Sequence, residues 1–179
     1  MCPDVLFSPQ ELTVVNDAVA LAEELVSNHY KMSASQWLNR RYDVKSRIDL
    51  TDEEVVQGPF AQVIRYEGRQ TASPLNSRTF DFYKICLQDQ AILEALHRSP
   101  ALSLGPFVLY VVTHELIHIV RFSTFRQNFQ ASDDERWFEE QRVHAETRTI
   151  LAAVEVSGMA AVLDFFSRWH TGMDRLQDF

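Results

Sequence analysis

His114-Glu115-Leu116-Ile117-His118, set in an apolar run that begins at Gly105-Pro106, is the stretch from which the rest of the chain can be read. Pro106 suits a first helical turn, where a missing N–H leaves nothing unsatisfied. Beyond it Phe107, Val111, His114, His118, Phe122 and Phe125 recur at helical spacing. Val108, Leu109, Val112, Leu116, Ile119 and Val120 cover the remaining directions, and a helix that is apolar all round belongs in a core. The pentad within it is an HExxH motif. Residues four apart share a helix face, so both imidazoles can meet at one metal ion. Glu115 is turned off that face and can reach a water beside the ion. A lone buried histidine is more often just hydrogen-bonded. Two histidines and a glutamate inside an apolar helix are costly without a ligand, which favours metal.

A zinc site of this kind takes a third protein ligand. Ser132-Asp133-Asp134-Glu135 reads as a capping box, and a helix is expected from about Arg136 to Val156. Its inward stripe reads Trp137, Glu140, His144, Thr147, Leu151 and Val154. Glu140 and His144 are thus candidate metal ligands beside His114 and His118. Glu139, Arg142, Glu146 and Arg148 read as a solvated flank. The competing reading of Glu140 is a buried salt bridge to an arginine such as Arg121.

HExxH followed after a short interval by Glu140 on the next helix resembles the gluzincin branch of the zincin metallopeptidases. The resemblance spans roughly Phe60 to Val156, and its specific part is the HExxH. It implies an α+β, mostly helical zincin-like domain with a small sheet before the HExxH helix. It also implies one zinc ion per chain, held by His114, His118 and Glu140, with Glu115 as catalytic base and a peptide or protein as substrate. In that family the strand beside the active-site helix is an edge strand that binds extended peptide. Here that strand reads as Asp81 to Leu87, followed by a short helix from Gln90 to His97 that Asp89 can cap. The chain departs from the family pattern at His144, which stands where the family has an Asp that orients a zinc-bound imidazole. His144 can accept a hydrogen bond in that role or bind metal itself, which would close the site. An oxyanion donor is also required, and His29, Tyr83, Arg121 and His170 are all candidates.

The remaining segments bound the architecture. With 179 residues the chain suits one domain with a sizeable core. Ser8-Pro9-Gln10-Glu11 starts a helix with Leu12, Val15, Val19, Ala22 and Val26 on one face, ending near His29. Glu23 and Glu24 on it read as solvated. Trp37 to Val44 reads as a short helix. Thr51-Asp52-Glu53-Glu54 is another capping box, its helix ended by Gly58-Pro59. Phe60 to Tyr66 reads as a strand, Gly68 to Ser77 as an exposed loop, Ala160 to Trp169 as an amphipathic helix after the break at Gly158, and Asp174 to Phe179 as a tail.

The net charge of −8 argues against a nucleic-acid partner. No signal peptide is apparent, and no stretch reads as a membrane span, so no membrane partner and a cytoplasmic location are expected. Cys2 and Cys86 make no disulfide framework, and Cys86 reads as a small core residue. One rival constellation remains. Glu115…His118 and Glu94…His97 are both ExxH pairs, and ferritin-like bundles hold two iron or manganese ions with such helices. Against it, Glu140 and His144 are spaced as ExxxH, His97 abuts Ser99-Pro100, and the strand-like segments do not suit a bundle.

Overall fold

Ser8 caps the first helix as its sequence predicts. Its hydroxyl accepts from Glu11 N, and the Glu11 carboxylate accepts from Ser8 N, satisfying two donors that would otherwise be unpaired. The computed structural model describes residues 5–33, 35–36, 41–70, 78–124 and 131–173. In chain order these form α1 (Pro9–Tyr30), β1 (Arg41–Lys45), β2 (Ala61–Gln70), β3 (Arg78–Leu87), α2 (Asp89–Arg98), α3 (Leu104–Ser123), α4 (Asp133–Ala152) and α5 (Met159–Met173). The fold is α+β and mostly helical, with a small sheet that precedes the HExxH helix.

Helix α3 is the axis of the core. Every residue from Pro106 to Arg121 except Glu115 is buried. Along one side, α1 applies Val15, Ala18, Ala22 and Val26. Its small side chains let the backbones approach, and at Gly105 an added methyl would lie 3.4 Å from Val14. From the other sides come Val143 and Leu151 of α4, Val162 and Phe166 of α5, and Tyr83, Ile85 and Leu87 of β3. Fully burying one such side chain contributes about 1.5–3 kcal/mol, so α3 is fixed by its neighbours on every side. By length and composition α3 could cross a membrane, which the sequence reading had not expected of any stretch; in this fold it is a buried core helix.

The strand order is β1-β3-β2, with β1 parallel and β2 antiparallel to β3. Side chains alternate across β3. Tyr83, Ile85 and Leu87 enter the core, while Lys84 bonds both carboxylate oxygens of Glu54 on the opposite face at 2.7 and 2.8 Å.

Several expectations need correcting. The strand expected at a sheet edge, Asp81 to Leu87, lies in the centre, because β1 and β2 pair with it on both sides. The helix expected from Trp37 to Val44 is instead strand β1 from Arg41; residues 37–40 lie outside the described residues. The aromatic and β-branched character of Tyr42 and Val44 suits a partly buried strand paired with β3. The Thr51 capping box is present but holds one 3-10 turn, Asp52–Glu54. The Gln88 side chain captures Val56 N at 3.1 Å and draws the chain out of helical continuation. Asp89 lies inside α2 rather than capping it, and its carboxylate accepts from Phe7 N and Arg47 N at 3.0 and 2.9 Å, tying two distant segments together. The expected loop begins later, since Gly68 to Gln70 extend β2; residues 71–77 and the expected tail from Asp174 lie outside the described residues. Helix α4 stops at Ala152, short of the expected Val156, and Gly158 does not end it but leads directly into α5. This glycine sits at φ +85°, and a Cβ there would meet Ser103 Oγ at 3.0 Å.

Candidate metal centre between two helices

Two helices build the centre. On α3, His114 and His118 lie one turn apart, 7% and 5% exposed, with their Nε2 atoms 3.1 Å from each other. From α4, Glu140 reaches across, its Oε2 3.2 Å from His114 Nε2 and its Oε1 3.0 Å from His118 Nε2. Among the described residues these three form the group whose donor atoms all lie within 4.8 Å of one another. Burial works to raise the Glu140 pKa, but hydrogen bonds from the two imidazoles outweigh it and hold the carboxyl far below the usual range. The Glu140 side chain is 47% exposed, so the cluster has buried walls and a face toward solvent.

The donor set fits a zinc-sized cation. Zinc bonded to nitrogen and oxygen at its usual lengths separates tetrahedral ligands by about 3.3 Å. The two imidazole nitrogens, 3.1 Å apart, are close to that, and each meets a different oxygen of the Glu140 carboxylate, at 3.2 and 3.0 Å, so the three side chains converge on one point.

An ion pair sets the rotation of α4. Arg121, one turn after His118, bonds Glu139 through Nε, and through Nη2 at 3.2 Å. Both side chains are buried. Glu139 was expected on the solvated flank and is not there. Arg121 does make the buried bridge proposed as the rival role of Glu140, but with the neighbouring carboxylate, which leaves Glu140 to the histidines. Glu146, also expected in solvent, lies 2.9 Å from His29 Nε2 on α1 and 3.9 Å from Arg121 Nη1. Beside Glu139, the buried part of α4 is Thr147 and Leu151 of the expected stripe together with Val143 and Ile150, whereas Trp137 is 39% exposed. The stripe was therefore read one step out of phase at its start.

Glu115 is half-buried beside the centre. Among the described residues its carboxylate has no hydrogen-bond or ion-pair partner. Burial pushes its pKa up, His114 and His118 pull it down and Glu140 pushes it up again, with a net rise.

His144 flanks the cluster. Its ring centroid is 4.1 Å from that of His114, its Nε2 is 3.7 Å from Glu140 Oε2, and its Nδ1 is 2.7 Å from the Tyr110 hydroxyl. Tyr110 was missed from sequence. The signal was there: Tyr110, His114, His118 and Phe122 recur every four residues and so share a face of α3. Phe122 in turn stacks between His118 and Tyr83, with centroids 5.9 and 6.3 Å away.

Comparison with family models, with curated proteins and with solved structures finds no match for this chain. The chemistry of the site therefore rests on its own geometry.

The other candidates are placed as follows. Of the oxyanion donors considered, His29 is bonded to Glu146, Arg121 to Glu139, and Tyr83 is buried against Phe122. The side chain of His170 lies outside the described part of the structure. Glu23 accepts from the Tyr42 hydroxyl. In the second ExxH pair, Glu94 bonds Gln90 and Arg98, and His97 is exposed. Glu94 lines a separate groove of about 480 Å³ with Arg47, Phe60, Arg98 and Phe165. His114 Nδ1 is buried and has no hydrogen-bond partner among the described residues. A metal-bound imidazole ordinarily donates its second N–H, so this atom departs from the usual arrangement.

Proposed function

We propose that this chain is a zinc-dependent hydrolase that cuts peptide bonds, a zincin-like metallopeptidase of the gluzincin type. The observation that carries the reading is the triangle of His114, His118 and Glu140 at zinc-compatible spacing, with Glu115 unpartnered beside it. Three protein donors leave a fourth position open, as catalytic zinc sites do. When bound there, zinc supplies Lewis acidity, polarising a carbonyl and lowering the pKa of water.

The residues of the chain do the rest. His114 and His118 are held rigidly by α3, and Glu140 by the Arg121–Glu139 pair next to it. Glu115 takes the proton of the attacking water as the water oxygen adds to the carbonyl carbon. It then returns that proton to the amide nitrogen as the C–N bond breaks. Burial raises its affinity for a proton, which suits a group that must take one up before handing it on. For an extended substrate, the outer edges of β1 and β2 are the sheet edges left for pairing, since β3 is paired on both sides.

Zinc content and a peptide-library digest test the reading together with Glu115→Gln. The variant is expected to keep zinc and lose about 10²–10⁴-fold in kcat. A wild-type protein that takes up no zinc, or a variant that cleaves at the wild-type rate, overturns it. A second reading is favoured by His144 beside the cluster: a closed, non-catalytic site with four donors. It predicts one zinc per chain and no hydrolysis. A di-iron or di-manganese site, bridged by Glu115, His118, Glu140 and His144, would hold two ions per chain, and metal content separates it from both zinc readings; Glu94 of the second ExxH pair lines a separate groove.

A further inference from the structure

Tyr83 of β3 is 3% exposed, and among the described residues its hydroxyl has no hydrogen-bond partner. The ring is enclosed, but the oxygen is not among the polar atoms sealed from solvent. The charged groups that face it are Asp81 of β3 and Arg65 of β2, 40% and 36% exposed and paired with each other at 2.9 Å. Burial and the Asp81 carboxylate strengthen the hold of the phenol on its proton, against Arg65, so the group is a donor at neutral pH. Phe122 fixes where this donor stands. The Tyr83 ring lies 6.3 Å from that of Phe122 with the planes 7° apart, and Phe122 lies 5.9 Å from His118. A whole ring thus stands between Tyr83 and the cluster. An oxyanion donor must come within about 3 Å of the oxygen it serves, so Tyr83 is not that group. An extended peptide advances about 3.3 Å per residue, so three or four residues span the two ring-to-ring steps. The hydroxyl also lies toward the sheet border nearer the metal ligands. Strand β1 is tied to α1, where Tyr42 donates to Glu23, and α1 meets α3 at Gly105, half a turn round from His114. Arg65, beside the Tyr83 hydroxyl, belongs to β2 on the other border.

We infer that the Tyr83 hydroxyl binds substrate, donating to a main-chain carbonyl of an extended peptide three or four residues from the bond cut at the cluster. The inference rests on the hydrolase reading and adds to it a requirement for chain length. A neutral acceptor fits because Asp81 and Arg65 offset each other, so neither an acidic nor a basic side chain is drawn to the spot. A main-chain carbonyl recurs at every residue, which makes the contact independent of substrate sequence. The enclosed ring, stacked on Phe122, has little freedom left to lose on binding.

The test uses the full-length, zinc-loaded protein and a nested set of peptides, shortened one residue at a time from either end around one cleaved bond. For the wild type, kcat/KM is expected to fall about 3- to 10-fold when the third or fourth residue is removed on one side, the worth of one hydrogen bond. Tyr83→Phe keeps the ring that stacks on Phe122 and removes only the donor. It is expected to raise KM by the same factor for the long peptides with kcat unchanged, as loss of uniform binding does. Shortened peptides, zinc affinity and the denaturation midpoint are expected to stay as in the wild type. An equal KM for long peptides in both proteins overturns the inference, because the hydroxyl then meets only water. A loss of the same size for long and short peptides overturns it too, since a general disturbance of the site would explain it. Equilibrium binding keeps this result apart from the hydrolase reading. Fluorescein-labelled long and short peptides of the digest library are titrated into Glu115→Gln, with and without Tyr83→Phe. If the wild type cleaves nothing but long peptides bind in a Tyr83-dependent way, the hydrolase reading falls and the inference stands. A protein that neither cleaves nor binds any of these peptides removes both.

Discussion

Helices α3 and α4 are each twenty residues long and both feed the same cluster, but different forces hold them. Apolar burial on all sides fixes α3, and no single contact decides its position. Helix α4 buries only Glu139, Val143, Thr147, Ile150 and Leu151, and its first half is largely exposed apart from Glu139. The Arg121–Glu139 pair in that half and the His29–Glu146 contact further along set its rotation. A core that positions two ligands by packing thus meets a third ligand positioned by charge. The two helices should therefore fail differently when perturbed.

The largest expected effects set the two sides apart. Arg121→Ala leaves the buried Glu139 with only the exposed Arg142, whose Nη1 is 3.7 Å away, and it should lower the unfolding free energy by up to about 3 kcal/mol in denaturant titration. The double variant Arg121→Met/Glu139→Leu separates stability from orientation. Replacing a buried ion pair with apolar side chains is often neutral or stabilising. Stability should then return to near wild type while zinc affinity stays reduced, because nothing directs Glu140 to the histidines. Wild-type zinc affinity in a stable double variant would show that the packing of Val143 and Thr147 orients α4 without the ion pair. On the packing-held side, Leu116→Ala should cost about 2–5 kcal/mol and leave zinc affinity nearly unchanged, since α3 has neighbours on every side.

The next effect ranks the two polar side chains of α4. Glu140→Ala removes a donor atom of the cluster, and His144→Ala removes a neighbour. Changes to groups around a metal ligand typically cost about 10–100-fold in affinity or activity, and loss of a ligand should exceed that. In competition titration against a chelator, Glu140→Ala should therefore weaken zinc binding more than His144→Ala does. The reverse order would make His144 the third ligand and Glu140 its hydrogen-bonding partner.

This difference in forces also explains what could be read from the sequence. Helix α3 and the face carrying His114 and His118 follow from apolar periodicity and one motif, because burial obeys a period that sequence displays, while the fold class was what the resemblance carried by that motif implied. The capping boxes at Ser8 and Ser132 were legible for the same reason, being local. On α4, two adjacent glutamates have opposite surroundings: Glu139 is buried on Arg121, and Glu140 is half exposed on the histidines. Nothing in a local pattern assigns an arginine of another helix to one of two neighbouring carboxylates. Asp89 went astray similarly, since Phe7 and Arg47, its actual partners, come from distant segments. Strand β1 was read as a helix because its identity depends on pairing with β3, far along the chain.

The smallest effect tests whether charge placed by a fold is felt away from the cluster. Glu54 closes its own 3-10 turn by accepting from Thr51 N, and it also accepts from Lys84 and from the Tyr66 hydroxyl. The Lys84 ammonium, with Thr51 N and Tyr66 behind it, brings its pKa down to about 2. A carboxyl whose folded pKa lies below its unfolded value stabilises the fold once pH exceeds the unfolded value, and that contribution fades as pH falls toward the folded one. Between about pH 4.5 and pH 2 the wild type should therefore lose stability more steeply than Glu54→Gln. Above pH 5 or so the variant should be the less stable of the two. The amide keeps one acceptor oxygen, which can hold Thr51 N and the capping box; the Tyr66 hydroxyl, which donates to the other oxygen, must turn to accept from the amide NH2, and the charge facing Lys84 is lost. Thermal melts of both proteins across that range would check it. Parallel melting curves would mean that the charge of the buried Glu54 adds nothing to what an amide provides there, and that buried charge directs structure between α3 and α4 but not beside the sheet.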